Sequence, residues 1–448
     1  MEQLIRAAKI VCLDAADTIL EPGYAIMASG SDASESDASE PSGNGRFTYL
    51  SDIPPTTNLP MIDLGNRLLM PGLVNAHTHT PMTLFRGLAE GHSLFDFDGW
   101  YNTIRVVEEV MTPNMVPPAV LVSCAEMIRT GTTCFADQYF WMDQIVPAVH
   151  QSGMRAALGY GIVELGEEAA REREIAATAV FLDSLQDDPL LTGWVGPHAF
   201  FVDNSEAAIV QELDLAERFE TGLHIHLSTS GEEDRFCQAN YGQTAVPRMA
   251  QLGILNHRLL AAHCLTIPES DYPLLAKAPF TAVIAPSSAM RNAAGFAQVR
   301  EMAAAGINLA LGTDNVTNNN SYDLFKEMQI LGKLASLHYR TPNALPTRDL
   351  LHMATQGGAD ALGLGDEIGS IEIGKQADFI SLDLDEIGWS PTVSQDVYTA
   401  LVYAISGMHV RDVAVAGKWL YRNGRFQTID YAQAVQDLEK AALTLQHS

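Results

Sequence analysis

Between residue 71 and about residue 365, short apolar runs alternate with longer stretches carrying apolar residues every three or four positions. The runs GLVNAH, TTCFAD, AALGYGIVE, GWVGPH, GLHIHL, LLAAHC, TAVIAP and NLALGTD read as strands buried on both faces. PPAVLVSCAEMIRTG, WMDQIVPAVHQSG, SEAAIVQELDLAERF, AVPRMAQLG and FAQVREMAAAG have the helical period. Strands alternating with helices in this way predict an α/β fold, a parallel TIM (β/α)8 barrel over 71–365. The pattern changes on both flanks. AKIVCLD and MIDLGNRLLM before the barrel, and GSIEIGKQADFISLDL and VRDVAVAGKWLYRNGRF after it, read as short strands with glycine turns. They predict one small sheet domain built from 1–70 and 366–425. YAQAVQDLEKAALTLQHS predicts a terminal amphipathic helix within 426–448, and SGSDASESDASEPSGNG a flexible acidic loop at 29–45 that has too little apolar surface to order itself.

Several of the strands end in side chains able to bind a metal. His77 and His79 lie two apart, so in a strand both imidazoles face the same way. His224 and His226 share a face by the same argument, and the spacing alone does not say which of them ligates. His263 closes a separate run and suits either ligation or a hydrogen bond to a reacting oxygen. Asp314 ends the last run, where a carboxylate can touch a metal and also accept a proton from water. In a barrel these ends converge on one mouth. Neutral imidazoles with one carboxylate suit a borderline divalent ion, zinc above all, with iron or manganese as alternatives. His198, at the end of GWVGPH, is a candidate substrate contact. No lysine stands in that run to bridge a second metal as a carbamate, so one ion is expected.

The remaining composition narrows the picture. The net charge of −28 leaves no basic face for nucleic acid. It describes a well-solvated surface, or one that draws in a cationic substrate. No apolar stretch is long enough to span a membrane, and the N-terminus lacks the features of a signal peptide. Five cysteines without a C-x-x-C pair read as reduced thiols in a cytoplasmic protein. A homo-oligomer, dimer or tetramer, is expected.

Taken in order, PGLVNAHTHTPMTLFRGLAE, GPH, AAHC, LGTDN, NNNSYDLFKEM, GSIEIGKQADFISLDL and VAGKWLY resemble the amidohydrolase superfamily over nearly the whole chain. The likeness is to the branch holding S-adenosylhomocysteine, methylthioadenosine and guanine deaminases and s-triazine hydrolases. It implies a distorted barrel with a small β-sandwich from both termini. It also implies that His77, His79, His226 and Asp314 are the metal ligands, that His263 orients and polarises the attacking hydroxide, and that His198 contacts the substrate. The branch carries a glutamate three residues after the fifth-strand histidine, where it moves a proton to the ring nitrogen. Thr229 stands there, or Ser228 if one residue is deleted, and neither hydroxyl has a pKa suited to that work. Glu232 and Glu233 follow on the same loop and are candidate substitutes. Nucleoside deaminases of the branch tend to carry an arginine near Tyr160, and relatives an asparagine near Ser288. Tyr160, Ser228 and Thr229 are therefore the residues expected on a rewritten substrate face.

The implied reaction is attack by metal-activated hydroxide on an amino-substituted sp² carbon of a cyclic amidine or N-heterocycle, most simply a deamination. Asp314 handles the proton. The alternatives are a dechlorinase, an amide or cyclic-urea hydrolase, or a paralogue that binds metal without catalysis.

Overall fold

A computed structural model describes residues 2–28, 45–391 and 396–446. The segment expected to form an acidic loop lies outside the described residues, Gly45 excepted. Eight parallel strands form the barrel in unbroken sequence order: β1 (Leu73–Thr78), β2 (Thr132–Tyr139), β3 (Arg155–Ile162), β4 (Leu191–Pro197), β5 (Leu223–Leu227), β6 (Leu259–His263), β7 (Phe280–Ile284) and β8 (Asn308–Leu311). The ring is closed by a parallel bridge between Thr78 and Asp314, with the Asp314 amide donating to the His77 carbonyl at 3.0 Å. Alternate strand residues divide between two apolar clusters, as strands covered on both faces require. Val74, Cys134, Ala157, Leu260 and Val283 fall in one, and Leu73, Phe135, Leu158, Leu259 and Ala282 in the other.

The two chain ends build the second layer. Glu2–Ala7 pairs with Gly23–Ala28 and Met61–Asp63 in a four-stranded sheet. In a seven-stranded sheet, Arg67–Pro71 lies between Lys9–Val11 and Phe379–Asp383, and the latter pairs with Val410–Val415. Ile5, Ile10, Met27, Phe47, Leu69, Phe379 and Ala414 form one buried core between these sheets. The terminal helix runs from Tyr431 to Gln446 and packs on the barrel helix Val116–Arg129.

Between β1 and that barrel helix, residues 80–115 form no strand. They fold instead as short helical turns, including a π-helical turn at Tyr101–Arg105, and lie across the barrel mouth.

Candidate metal centre and active site

The barrel mouth holds a cleft of about 940 Å³, lined by His79, His198, His226, His263 and Asp314 on its polar side. Hydrogen bonds around these residues fix where each imidazole points. His79 Nδ1 is 2.7 Å from the Gln138 carbonyl, and His226 Nδ1 is 2.9 Å from the His198 carbonyl. A carbonyl can only accept, so both Nδ1 atoms carry the proton and both Nε2 atoms present a lone pair. These Nε2 atoms face each other at 3.3 Å. The His77 and His79 Nε2 atoms lie 3.6 and 3.5 Å from Asp314 Oδ1, and His77 Nε2 is buried with no hydrogen-bond partner. Ligands about 2.0–2.2 Å from one tetrahedral ion sit about 3.4 Å apart. Lone pairs meeting at these separations fit a single divalent cation.

Electrostatics agree with the geometry. Burial, then neighbouring histidines, lowers the His79 pKa to about 3 and holds His226 and His224 well below the usual range. Burial lowers His263 to about 4. All four stay neutral near pH 7, the form a metal ligand needs. Burial works against ionised Asp314, but the neighbouring imidazoles of His77, His263 and His79 outweigh it and hold the carboxyl far below its normal value.

Each convergent side chain has a supporting partner, which fixes its orientation. His77 Nδ1 meets His224 Nε2 at 2.7 Å, so of the two β5 histidines His226 faces the cluster and His224 backs His77. Asp137 on β2 accepts from the Thr78 hydroxyl and from the Thr80 amide and hydroxyl, each at 2.7 Å, and so clamps the backbone on either side of His79. Asp314 accepts from Asn315 through Oδ1 and from the Ser288 hydroxyl through Oδ2. His263 and Asp314 sit in the left-handed backbone region, with φ of 79° and 60°, as does Ser228 with φ of 51°. Such conformations cost on the order of 1–3 kcal/mol each in non-glycine residues and persist where the surroundings force them.

The other sequence-derived residues take several positions. The His263 ring centroid lies 5.5 Å from those of His77 and His226, and its Nδ1 is buried without a partner. His198 borders the cleft, paired through Nδ1 with buried Asp203 and stacked 4.5 Å from Trp100. Burial disfavours its charged form, but Asp203 outweighs this and raises its pKa. Thr229 borders the cleft, yet its hydroxyl donates to the Phe95 carbonyl at 3.0 Å. Ser228 is not among the cleft's lining residues. Its amide donates to Glu233 and its carbonyl accepts from Leu265 and Thr266. Tyr160 lines an adjoining cavity, where its hydroxyl donates to Glu174 at 3.2 Å.

The two carboxyls after Thr229 are in different situations. Glu232 Oε2 accepts from the Phe97 amide. Glu233 is buried with Oε1 on the Ser228 amide at 2.9 Å, while its Oε2 has no partner. Burial, opposed by backbone hydrogen bonds, raises its pKa to about 7. Glu108 also borders the cleft; its buried Oε2 makes no hydrogen bond but lies 3.5 Å from Arg105, and burial raises its pKa. Sequence reasoning passed over Glu108, Gln138, Asp137 and Asp203. A signal existed for Gln138 and Asp137, which end the β2 run; the other two lie in segments without strand or helix periodicity.

The amidohydrolase family pattern matches residues 68–420. The chain belongs to the amidohydrolase family. A 5-methylthioadenosine/S-adenosylhomocysteine deaminase of Syntrophus aciditrophicus is 32% identical over all of this chain and 98% of its own length. A 5'-deoxyadenosine deaminase of Methanosarcina barkeri is 35% identical over 89% of this chain and 91% of its own. An adenosine deaminase from Xanthomonas campestris, solved with bound zinc, superposes with a TM-score of 0.89 at 31% identity, covering 100% of this chain and 99% of its own. As an amidohydrolase the chain is a hydrolytic enzyme acting on C–N bonds. Among the described residues, no helix is long and apolar enough to cross a membrane.

Proposed function

We propose that this amidohydrolase is a zinc-dependent deaminase of adenosine-type nucleosides, working in the cytoplasm. The observation that carries the reading is the pair of opposed Nε2 lone pairs of His79 and His226 beside Asp314. His77, His79, His226 and Asp314 would hold the ion, with His263 next to them. When bound, the ion would supply Lewis-acid activation of water at neutral pH. Asp314, kept ionised by its surroundings, accepts the water's proton and returns it to the departing amine. His263 donates to the oxygen as negative charge develops on it.

A flat heterocycle suits the apolar wall of Phe95, Phe97, Trp100 and Tyr139. Glu108, whose Oε2 makes no hydrogen bond and lies 3.5 Å from Arg105, gives the cleft an acceptor for sugar hydroxyls. The five cysteines are all buried free thiols, which supports a reducing compartment. The names of the relatives support adenosine-type substrates over the triazine alternative.

The zinc-loaded protein should release one ammonia per turnover from adenosine, 5'-deoxyadenosine or 5'-methylthioadenosine, with the ultraviolet shift from adenine to hypoxanthine. Chloride or alkylamine release from triazines with no ammonia from any nucleoside would overturn the assignment.

Glu233 completes the proposal. With the Thr229 hydroxyl committed to Phe95, the free oxygen of Glu233 is the group suited to give the ring nitrogen its proton. A donor with a pKa of about 7 is spent as pH rises through that value, so kcat should fall above neutrality. Glu233→Gln keeps an acceptor for the Ser228 amide but removes the proton. It should lower kcat about 100-fold and abolish the alkaline limb near neutrality. A pH–rate profile identical in shape to that of the unsubstituted enzyme would exclude Glu233 from the chemistry.

A further inference from the structure

One wall of the cleft belongs to the segment after β1, and few bonds hold it. Phe95, Phe97 and Trp100 face the site from residues 94–105: the Phe95 ring is 4.4 Å from that of His263, and Trp100 stacks on His198. Among the described residues, no backbone–backbone hydrogen bond ties residues 93–100 to the barrel. Their backbone is held instead by three side chains from the segments that follow β5 and β7. Asn292, after β7, accepts from the Leu94 amide at 2.6 Å. Thr229 donates to the Phe95 carbonyl at 3.0 Å, and Glu232 accepts from the Phe97 amide at 3.1 Å. Two of the three come from the loop after β5, the strand that also carries His226.

We propose that Thr229 and Glu232 are positioning residues that hold residues 94–105 down over the cleft, so that the loop after β5 sets substrate affinity through this aromatic cover. The hydroxyl of Thr229 is directed at a backbone carbonyl of the cover, and the Glu232 carboxylate is shared between the Phe97 amide and the Ser230 hydroxyl, 3.2 Å away. Loosening either tie leaves the metal cluster and Asp314 intact, since neither side chain is bonded to them. It frees the ring faces against which a planar substrate would stack, and stacking energy is gained only when the rings are held in place.

The kinetic arm rests on the deaminase reading, so a second arm is independent of it. Thr229→Val keeps the shape and removes the donor, and Thr229→Ser restores it. On zinc-loaded protein without substrate, hydrogen–deuterium exchange read by mass spectrometry should quicken in residues 94–105 for Thr229→Val and for Glu232→Ala, and not in the barrel strands. With a nucleoside substrate, Thr229→Val should raise KM about fivefold, the worth of one hydrogen bond, with kcat changed by less than about twofold. Thr229→Ser should recover most of that loss. Unchanged exchange in the cover would overturn the proposal, and so would a fall in kcat at constant KM, which would place Thr229 in the chemistry. Should no nucleoside turn over, the deaminase reading fails and the exchange result alone decides whether these ties hold the cover.

Discussion

Asp314→Asn is expected to reduce deamination by about 10⁴-fold or more, the upper end of what loss of a general acid–base group costs. Asparagine has nearly the same shape and can still accept from Asn315, so the β8 end should keep its backbone path. It cannot take up a proton, and its neutral oxygen is a far poorer partner for a cation. The surroundings argue for a large effect, because the imidazoles of His77, His263 and His79 keep this carboxyl ionised despite its burial. Ammonia release and metal content should be measured on the same samples. Retention of more than about a tenth of the original rate would remove Asp314 from the proton transfers assigned to it.

The second large effect concerns the ion itself. His77→Ala or His79→Ala should yield protein that purifies without stoichiometric zinc, as read by elemental analysis. Each substitution removes one of the nitrogens that converge at 3.3–3.6 Å. In the His79 variant the buried His224 is no replacement, because it points its Nε2 at His77 Nδ1 and away from the cluster. His224→Ala provides the graded control. It leaves every ligand in place and removes only a partner, so affinity should fall about 10- to 100-fold. Stoichiometric metal in both alanine variants of His77 and His79 would refute the ligand set.

The barrel was legible in the sequence because its strands are covered on both faces and read as unbroken apolar runs. All eight expected runs are strands. The helix Glu168–Ser184 escaped notice because it buries only Thr178, Phe181 and Leu182, leaving little apolar period to read. The cluster was legible for a different reason: its members sit at strand ends, and the topology brings strand ends together. Spacing could not separate His224 from His226, since period-2 geometry gives both the same face. Tertiary contacts distinguish them: His224 meets His77, and His226 faces His79. Thr229 illustrates the limit most clearly. From the sequence it was a candidate substrate contact, whereas its hydroxyl is bonded to Phe95, more than a hundred positions earlier in the chain. Pairings of that range follow from tertiary packing and leave no local trace. The same holds for Asp203 behind His198, which lies in a loop with neither period.

A ring of strands must be fastened somewhere, and here the fastening falls between the first strand and the last. The Asp314 amide reaches the His77 carbonyl across that seam, and the side chains of the same two residues point towards one spot. Whatever ion settles there stitches the seam from within, clasping two parts of the polypeptide that are remote in sequence. A bound ion would thus serve the architecture as well as the chemistry, and its removal is expected to lower stability at the place where the circle is joined.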